Sequence, residues 1–550
     1  MPYVLAALIG LTALILVPGQ LFYFDVTPKF AVLLAGAGLL PLIGTVKLDR
    51  RFSIPLLASI GALALSAAFS TNRAIAAYGS TWRRYGIAAQ LAIVVFAMAV
   101  AATRNRRVII GGIAIASAIA AAYGIGQYFG WDPILPAAAY HVGEGIWTIV
   151  RPPGTFGYVS YFATWLVMAG FLSLTLESRA GYAVAGLCWI AMMLTGTRAA
   201  MAGLAVGLLV WLWRRGFRLP RRALVAGALC VAAAAAFYFS PAGWNLRSRS
   251  RWFAEDRFGG ARPLLWRDSL SMALHRLPTG YGPETFTADF ARHAESLELA
   301  RAYPDFLHES PHNMFLDALV SEGLPGLLCL AALCWFGLRH GRPLEAAALA
   351  AGIVAQQFTV FTIPTALLFY VTVALCTAAP KESGKPQALG LVLLLPLVFL
   401  SWRAVSQDHA LELTRRALDA GNLQTKYPGS ADLWYSRSLF AIAQRAPDLR
   451  TRIAAMQLAR TAAEHATVNS EDPFDAWYNV AMIRAEVNDG PGAEAALRES
   501  IAARPNWFKP HWVLAQMLGS LEEARKAVEC DGGKHREVTD TLERLKLGHE

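Results

Sequence analysis

Between Lys47 and Lys381 the chain has no lysine, and charged residues of every kind fill only 16% of its 550 positions. With 55% hydrophobic residues and a mean hydropathy of +0.38, this excludes an ordinary soluble enzyme and describes a polytopic membrane protein. Cysteine is also scarce. Five of the six (Cys188, Cys230, Cys329, Cys334, Cys376) fall inside apolar runs, and Cys530 stands alone near the C-terminus. No C-x-x-C spacing occurs, so neither a disulfide framework nor a thiolate metal site is expected. The N-terminus, MPYVLAALIGLTALILVPGQ, lacks a basic n-region and a clear cleavage site, and reads as a first membrane helix rather than a removed signal peptide.

With so little lysine, the net charge of +11 is mostly arginine. A planar guanidinium grips phosphate bidentately, whereas a GC-rich genome would produce the same excess without any function. Position separates the two. Apolar runs centre near residues 4–19, 29–45, 53–69, 85–102, 108–128, 158–175, 180–195, 199–213, 223–239, 312–338, 343–360, 362–378 and 387–402, about thirteen potential membrane helices. Basic clusters at Lys47/Arg50/Arg51, Arg104/Arg106/Arg107, Arg214/Arg215/Arg218/Arg221/Arg222, Arg339/Arg342 and Lys381/Lys385 fall on alternate loops. The positive-inside rule puts those loops and the N-terminus in the cytoplasm. Arg73, Arg83, Arg84, Arg151, Arg198 and the segment 241–311 then face outward, against the insertion bias. Several arginines at one face favour a shared anionic ligand at the outer leaflet, although Arg198 alone could be a snorkelling turn residue. Membrane lipids are expected neighbours; a nucleic-acid partner is not.

The outer segment 241–311 is expected to be mostly helical, with a surface helix whose apolar stripe holds Leu264, Leu265, Leu270, Ala273 and Leu274. Arg262, Trp266 and Arg267 stand near its start. The segment ends in His308-Glu-Ser-Pro-His312, which spells the H-E-x-x-H zinc-protease pattern. Pro311 opposes the continuous helix that pattern needs. Instead, Ser310 reads as an N-cap and Pro311 as the first residue of the next helix. That places His312 in a first helical turn, where the dipole disfavours imidazolium and a neutral ring can act as a base. No metal site is expected.

From about Ser406 the chain turns soluble, alanine-rich and helical. Trp434-Tyr435, Trp477-Tyr478 and Trp512 recur, the last two 35 residues apart, each preceded by proline. This resembles degenerate tetratricopeptide repeats, helix pairs of about 34 residues that stack around a concave face. An odd number of spans puts this tail outside, where it could hold a protein partner or an acceptor, or serve only as a stabilising cap.

The H-N-x₉-G-x-x-G pattern at His312–Gly326 follows R-x-x-x-W at Arg262–Trp266 and P-x-G-Y-G-P-x-T-F at Pro278–Phe286. Together with R-P-P-G-T-F-G from Arg151 and T-G-T-R ending at Arg198, it resembles the O-antigen ligase and polymerase superfamily over roughly residues 30–380. Tyr158 and Ser160 stand where many relatives carry asparagine. The expected fold is an all-α bundle of about twelve or thirteen spans over residues 1–403, with a large periplasmic loop at 241–311, followed by a TPR-like domain at 404–550 that only some members of the superfamily carry. It implies an enzyme of the bacterial inner membrane that moves a glycan from an undecaprenyl-diphosphate carrier onto a hydroxyl at the periplasmic face, without cofactor. His312 would be the base, and Arg198 and Arg262 the diphosphate clamps. Arg151, Arg84, Asn313, Arg267, Trp266 and Tyr281 would be substrate contacts. No D-x-D pair occurs in the outer loops, so arginine rather than a divalent cation would neutralise the leaving group. The acceptor remains open between lipid A core, a growing glycan and a protein, with ligation to lipid A core favoured. A lipid-linked glycan transporter is the alternative from another class. Against it, the charges gather at one face rather than at the midplane.

Overall fold

The computed structural model describes residues 2–40, 49–136, 140–142, 149–217, 221–255, 260–378 and 389–549. Lys47, Arg218, Lys381 and Lys385, part of the charge pattern above, lie outside them. Apart from a two-residue antiparallel ladder pairing His141 with Val150 and Val142 with Ile149, the described regular structure is helical.

Three described helices are long and apolar enough to cross a bilayer: Arg50–Ala68, Arg106–Tyr128 and Met314–His340. The bent pair Gly227–Phe239 and Pro241–Ser250, angled at 84°, would be a fourth. Seven further apolar helices, among them Ile87–Ala101 and Val159–Leu174, have 10–17 residues, short of the ~20 that a perpendicular span requires. The thirteen sequence runs therefore include stretches that are not helical throughout. Val159–Leu174 lies at the centre, with Phe162, Trp165 and Phe171 wholly buried. Small residues let its neighbours approach: a Cβ on Gly203 would come 2.6 Å from the Ala351 carbonyl, so Arg198–Arg214 and Pro343–Ala355 touch backbone to backbone.

The segment 241–311 folds into helices Trp244–Glu255, Arg262–His275, Phe286–His293 and Leu297–Ala302. Its own core comprises Leu265, Met272, Tyr281, Phe286, Phe290 and Leu299. Leu265 and Ala273 of the expected apolar stripe are buried, but Leu270 and Leu274 are exposed.

Helix Met314–His340 begins later than the sequence reading predicts. Asn313, not Ser310, is the N-cap; its side chain accepts from the backbone N–H of Phe315 (3.0 Å) and Leu316 (3.2 Å). His312 has φ +50°, which no helical turn can include, so Pro311 stays outside the helix. The helix also breaks at Gly323 (φ +68°), where a Cβ would lie 2.5 Å from the Leu277 carbonyl. The break frees carbonyls that the loop uses: Tyr281 N–H donates to Val320 O (2.9 Å) and Gly282 N–H to Ser321 O (3.0 Å). The spacing of the two glycine-bearing motifs thus reflects one backbone junction.

Helix Leu389–Asp419 leads into the C-terminal helices, which run from Asp432–Arg445 to Arg536–His549, each packed on the next. Trp434, Trp477 and Trp512 fall on alternate helices of this series. The tail docks on the 241–311 segment. Arg504 forms a buried ion pair with Glu295 through two contacts of 2.7 Å, and Ala291, Phe474, Trp507 and Phe508 share one apolar core.

Candidate functional site

The T-G-T-R turn is built by Gly196, whose φ of +62° suits glycine and whose missing side chain makes room for Arg249: a Cβ there would stand 3.1 Å from Arg249 Cγ. The turn launches helix Arg198–Arg214 with Arg198 at its start. On the other side, R-P-P-G-T-F-G is pinned to the first helices. Thr155 Oγ1 donates to Ala13 O (2.7 Å), and Lys29 Nζ donates to Thr155 O (2.6 Å). This places Arg151 opposite Arg198.

Arg151, Arg198 and Arg262 open onto one cavity of about 300 Å³, together with Arg249, Tyr158 and Ser160. Burial is the main influence lowering the Arg151 pKa; Tyr158 opposes it and the Arg198 charge reinforces it. Four guanidinium groups line this pocket, and the planar fork of each matches a phosphate group. Arg249 is absent from the sequence reading. It sits in the polar run Arg247-Ser-Arg249-Ser-Arg251, where nothing distinguishes it from its neighbours. Tyr158 and Ser160, which stand where many relatives carry asparagine, line this cavity.

His312 does not line this cavity, but a short relay of contacts ties the turn that carries it to the cavity wall. Arg262 Nη2 donates to Phe358 O (3.4 Å); Phe358 packs on Trp266, whose indole N–H donates to Pro311 O (3.0 Å). The His312 backbone N–H donates to Ser310 Oγ (3.2 Å), so the expected cap serine shapes the histidine turn instead. Burial, with Arg262 and then Arg83 adding to it, pushes the His312 pKa down to about 4. The ring is neutral at pH 7, and its Nε2 has no hydrogen-bond partner among the described residues. Asn313 is spent on capping.

His308 and His312 do not form a helical pair. His308 is buried between Phe290 and Phe306, and burial holds its pKa near 3. Among the described residues no group of three His, Cys, Asp or Glu side chains is close enough to hold a metal.

Three predicted contacts lie elsewhere. Arg267 is at the surface, tied to Asp268 (2.9 Å), Glu298 (2.6 Å) and Ser296 (2.9 Å), because helical spacing turns it away from Arg262. Tyr281 packs inside the loop core with Arg276 over its ring at 4.6 Å. Arg84 enters a different cavity, while its neighbour Arg83 is buried in ion pairs with Glu284 and Asp317. The acids raise the Arg83 pKa although burial opposes them. Arg84, Glu284 and His312 all have positive φ, at +50°, +65° and +50°, a clustering of backbone strain that accompanies functional sites.

Residues 183–331, which carry Arg198, Arg249, Arg262, His312 and both motif glycines, match a family model described as O-Antigen ligase. No curated protein and no solved structure matches the chain. The family match supports the O-antigen ligase superfamily, and with it a membrane enzyme of ligase or polymerase type that transfers glycosyl groups from a lipid-linked donor to a glycan acceptor.

Proposed function

We propose that this protein moves a glycan from an undecaprenyl-diphosphate carrier to an acceptor hydroxyl at the periplasmic face of the inner membrane, with lipid A core as the acceptor. The convergence of Arg151, Arg198, Arg249 and Arg262 on one cavity beside a neutral histidine carries the reading. The arginines hold the diphosphate. The acceptor oxygen attacks the anomeric carbon while its proton passes to His312. The bond from that carbon to the phosphate oxygen breaks, and the leaving diphosphate keeps the electron pair, its charge stabilised by the guanidinium groups. In-line attack inverts the anomeric centre. No divalent cation is needed in this scheme, because the arginines supply the positive charge.

Residues 1–403 form the transferase domain in this reading. Residues 404–550 form a TPR-like periplasmic domain, a reading supported by helices that stack in sequence. Purified protein mixed with lipid-linked glycan and deacylated lipid A core tests the reaction. Formation of the joined product, insensitive to EDTA, is the expected result. Joining of donor units to one another instead would make the protein a polymerase, and no transfer to any hydroxyl would remove the transferase reading.

A further inference from the structure

Arg84 enters a second cavity, of about 460 Å³, at the seam where the bundle meets the C-terminal helices. Its wall draws Tyr23 and Tyr78 from the bundle, Gln407 and Asp408 from Leu389–Asp419, and Asn469 and Glu471 from the tail. Arg84 is held at φ +50°, and its Nε is shut off from solvent without a hydrogen-bond partner. Both flanking carboxylates are already fixed to backbone. Asp408 accepts from Tyr23 N–H (3.1 and 3.3 Å), and Glu471 from Thr81 N–H (2.6 Å). The guanidinium therefore stands between two acids and hydrogen-bonds neither. It lies over the Phe30 ring at 5.8 Å and lines the cavity, where a ligand can take up guanidinium donors that no described residue accepts.

We propose that the seam cavity is a saccharide subsite that holds the acceptor glycan; the assignment rests on the transferase reading above. A sugar hydroxyl both donates and accepts, and this wall offers a donor-only guanidinium, acceptor carboxylates and amides that do both. Burial raises Glu471 to about 7, which lets it play either role at neutral pH. Tyr23 and Tyr78 add aromatic surface to the wall, the Tyr78 ring with Arg403 over it at 5.7 Å, and such surface suits the apolar side of a sugar ring. The volume falls within the roughly 300–1,000 Å³ range of small-ligand pockets. Consecutive residues connect this cavity to the chemistry. Arg83 points into Glu284 and Asp317, the latter in the helix that starts just after His312, while Arg84 points into the seam.

Binding is measured on full-length His312→Ala protein, with donor left out so that no transfer can occur, by saturation-transfer NMR. The probes are deacylated core oligosaccharide, maltoheptaose, chitotetraose and a lysine-rich peptide. We expect saccharide binding that weakens about tenfold or more in Ala74→Trp, which fills the exposed mouth, and in Arg84→Gln. In otherwise unaltered protein, the same changes should raise the acceptor KM by a similar factor and leave donor binding as it was. No saccharide binding, peptide binding alone, or binding equal in both variants overturns the subsite. Because the NMR binding measurement does not require turnover, its failure is separate from failure of the transferase reading, which the product assay decides.

Discussion

His312 stands outside its helix in a left-handed turn, yet burial and two guanidinium groups keep its ring neutral. His312→Ala should abolish transfer without loss of insertion or folding; near-normal turnover by the purified variant would remove it as the base. Protonation inactivates the base, so kcat/KM, which reports the free enzyme, should be flat from pH 8 to about 5 and fall as pH drops through about 4. Bound diphosphate offsets the Arg262 charge that depresses the ring, so the acid limb of kcat should lie at higher pH. An acid limb of kcat/KM near the ordinary histidine value of about 6.5 would contradict the burial seen here. Arg198→Lys keeps the charge but loses the fork, and should cost about tenfold or more in kcat/KM. Arg249→Ala should do similar damage, whereas Arg267→Ala, at the surface among its acids, should leave the rate within about twofold. Equal effects of the Arg249 and Arg267 variants in one assay would undo the site's composition. Arg249 and Arg267 look alike in sequence; only packing sends one to the pocket and the other to solvent.

At the scale of elements, the broken helix Met314–His340 is the part most dependent on one residue. Gly323 combines φ +68° with a carbonyl 2.5 Å from where a Cβ would go. Gly323→Ala should therefore destabilise the junction by on the order of 2 kcal/mol or more and disturb the turn that carries Tyr281 and Gly282. Thermal melting in detergent measures it; a melting temperature equal to that of the unaltered protein would mean the loop can be re-routed cheaply. The x₉ spacing in H-N-x₉-G-x-x-G becomes intelligible here: it counts the residues from the cap at Asn313 to the break that receives the neighbouring loop. The sequence showed a proline and a serine before an apolar run and suggested a helix start at Pro311. The actual start is decided by Asn313, a cap as good as serine and placed where the chain leaves the His312 turn.

Over the whole molecule, the tail is joined to both the bundle, through Thr81 and Glu471, and the loop. Arg504 and Glu295 are both buried, and removing one partner strands the other, a loss of roughly 3–5 kcal/mol. Arg504→Ala should expose the linker near residues 420–430 to protease while helix content is retained; unchanged resistance would show that the shared apolar core around Phe474 and Trp507 suffices. The sequence by itself determined the class of molecule. Hydropathy, the missing lysines and the alternating arginine clusters describe local composition, and membrane partition responds to composition directly. It also determined the motif residues His312, Arg198 and Arg262, because the pattern is local in the chain. Only the tertiary structure decided which arginines share a cavity, that Arg84 faces the seam instead of the cavity of Arg151, Arg198 and Arg262, and that the tail rests on the loop. Those outcomes depend on residues some 100–400 positions apart, such as Arg151 and Arg249 lining one cavity or Thr81 bonded to Glu471. Such pairings are set by how helices pack, and no periodicity within a single segment encodes them.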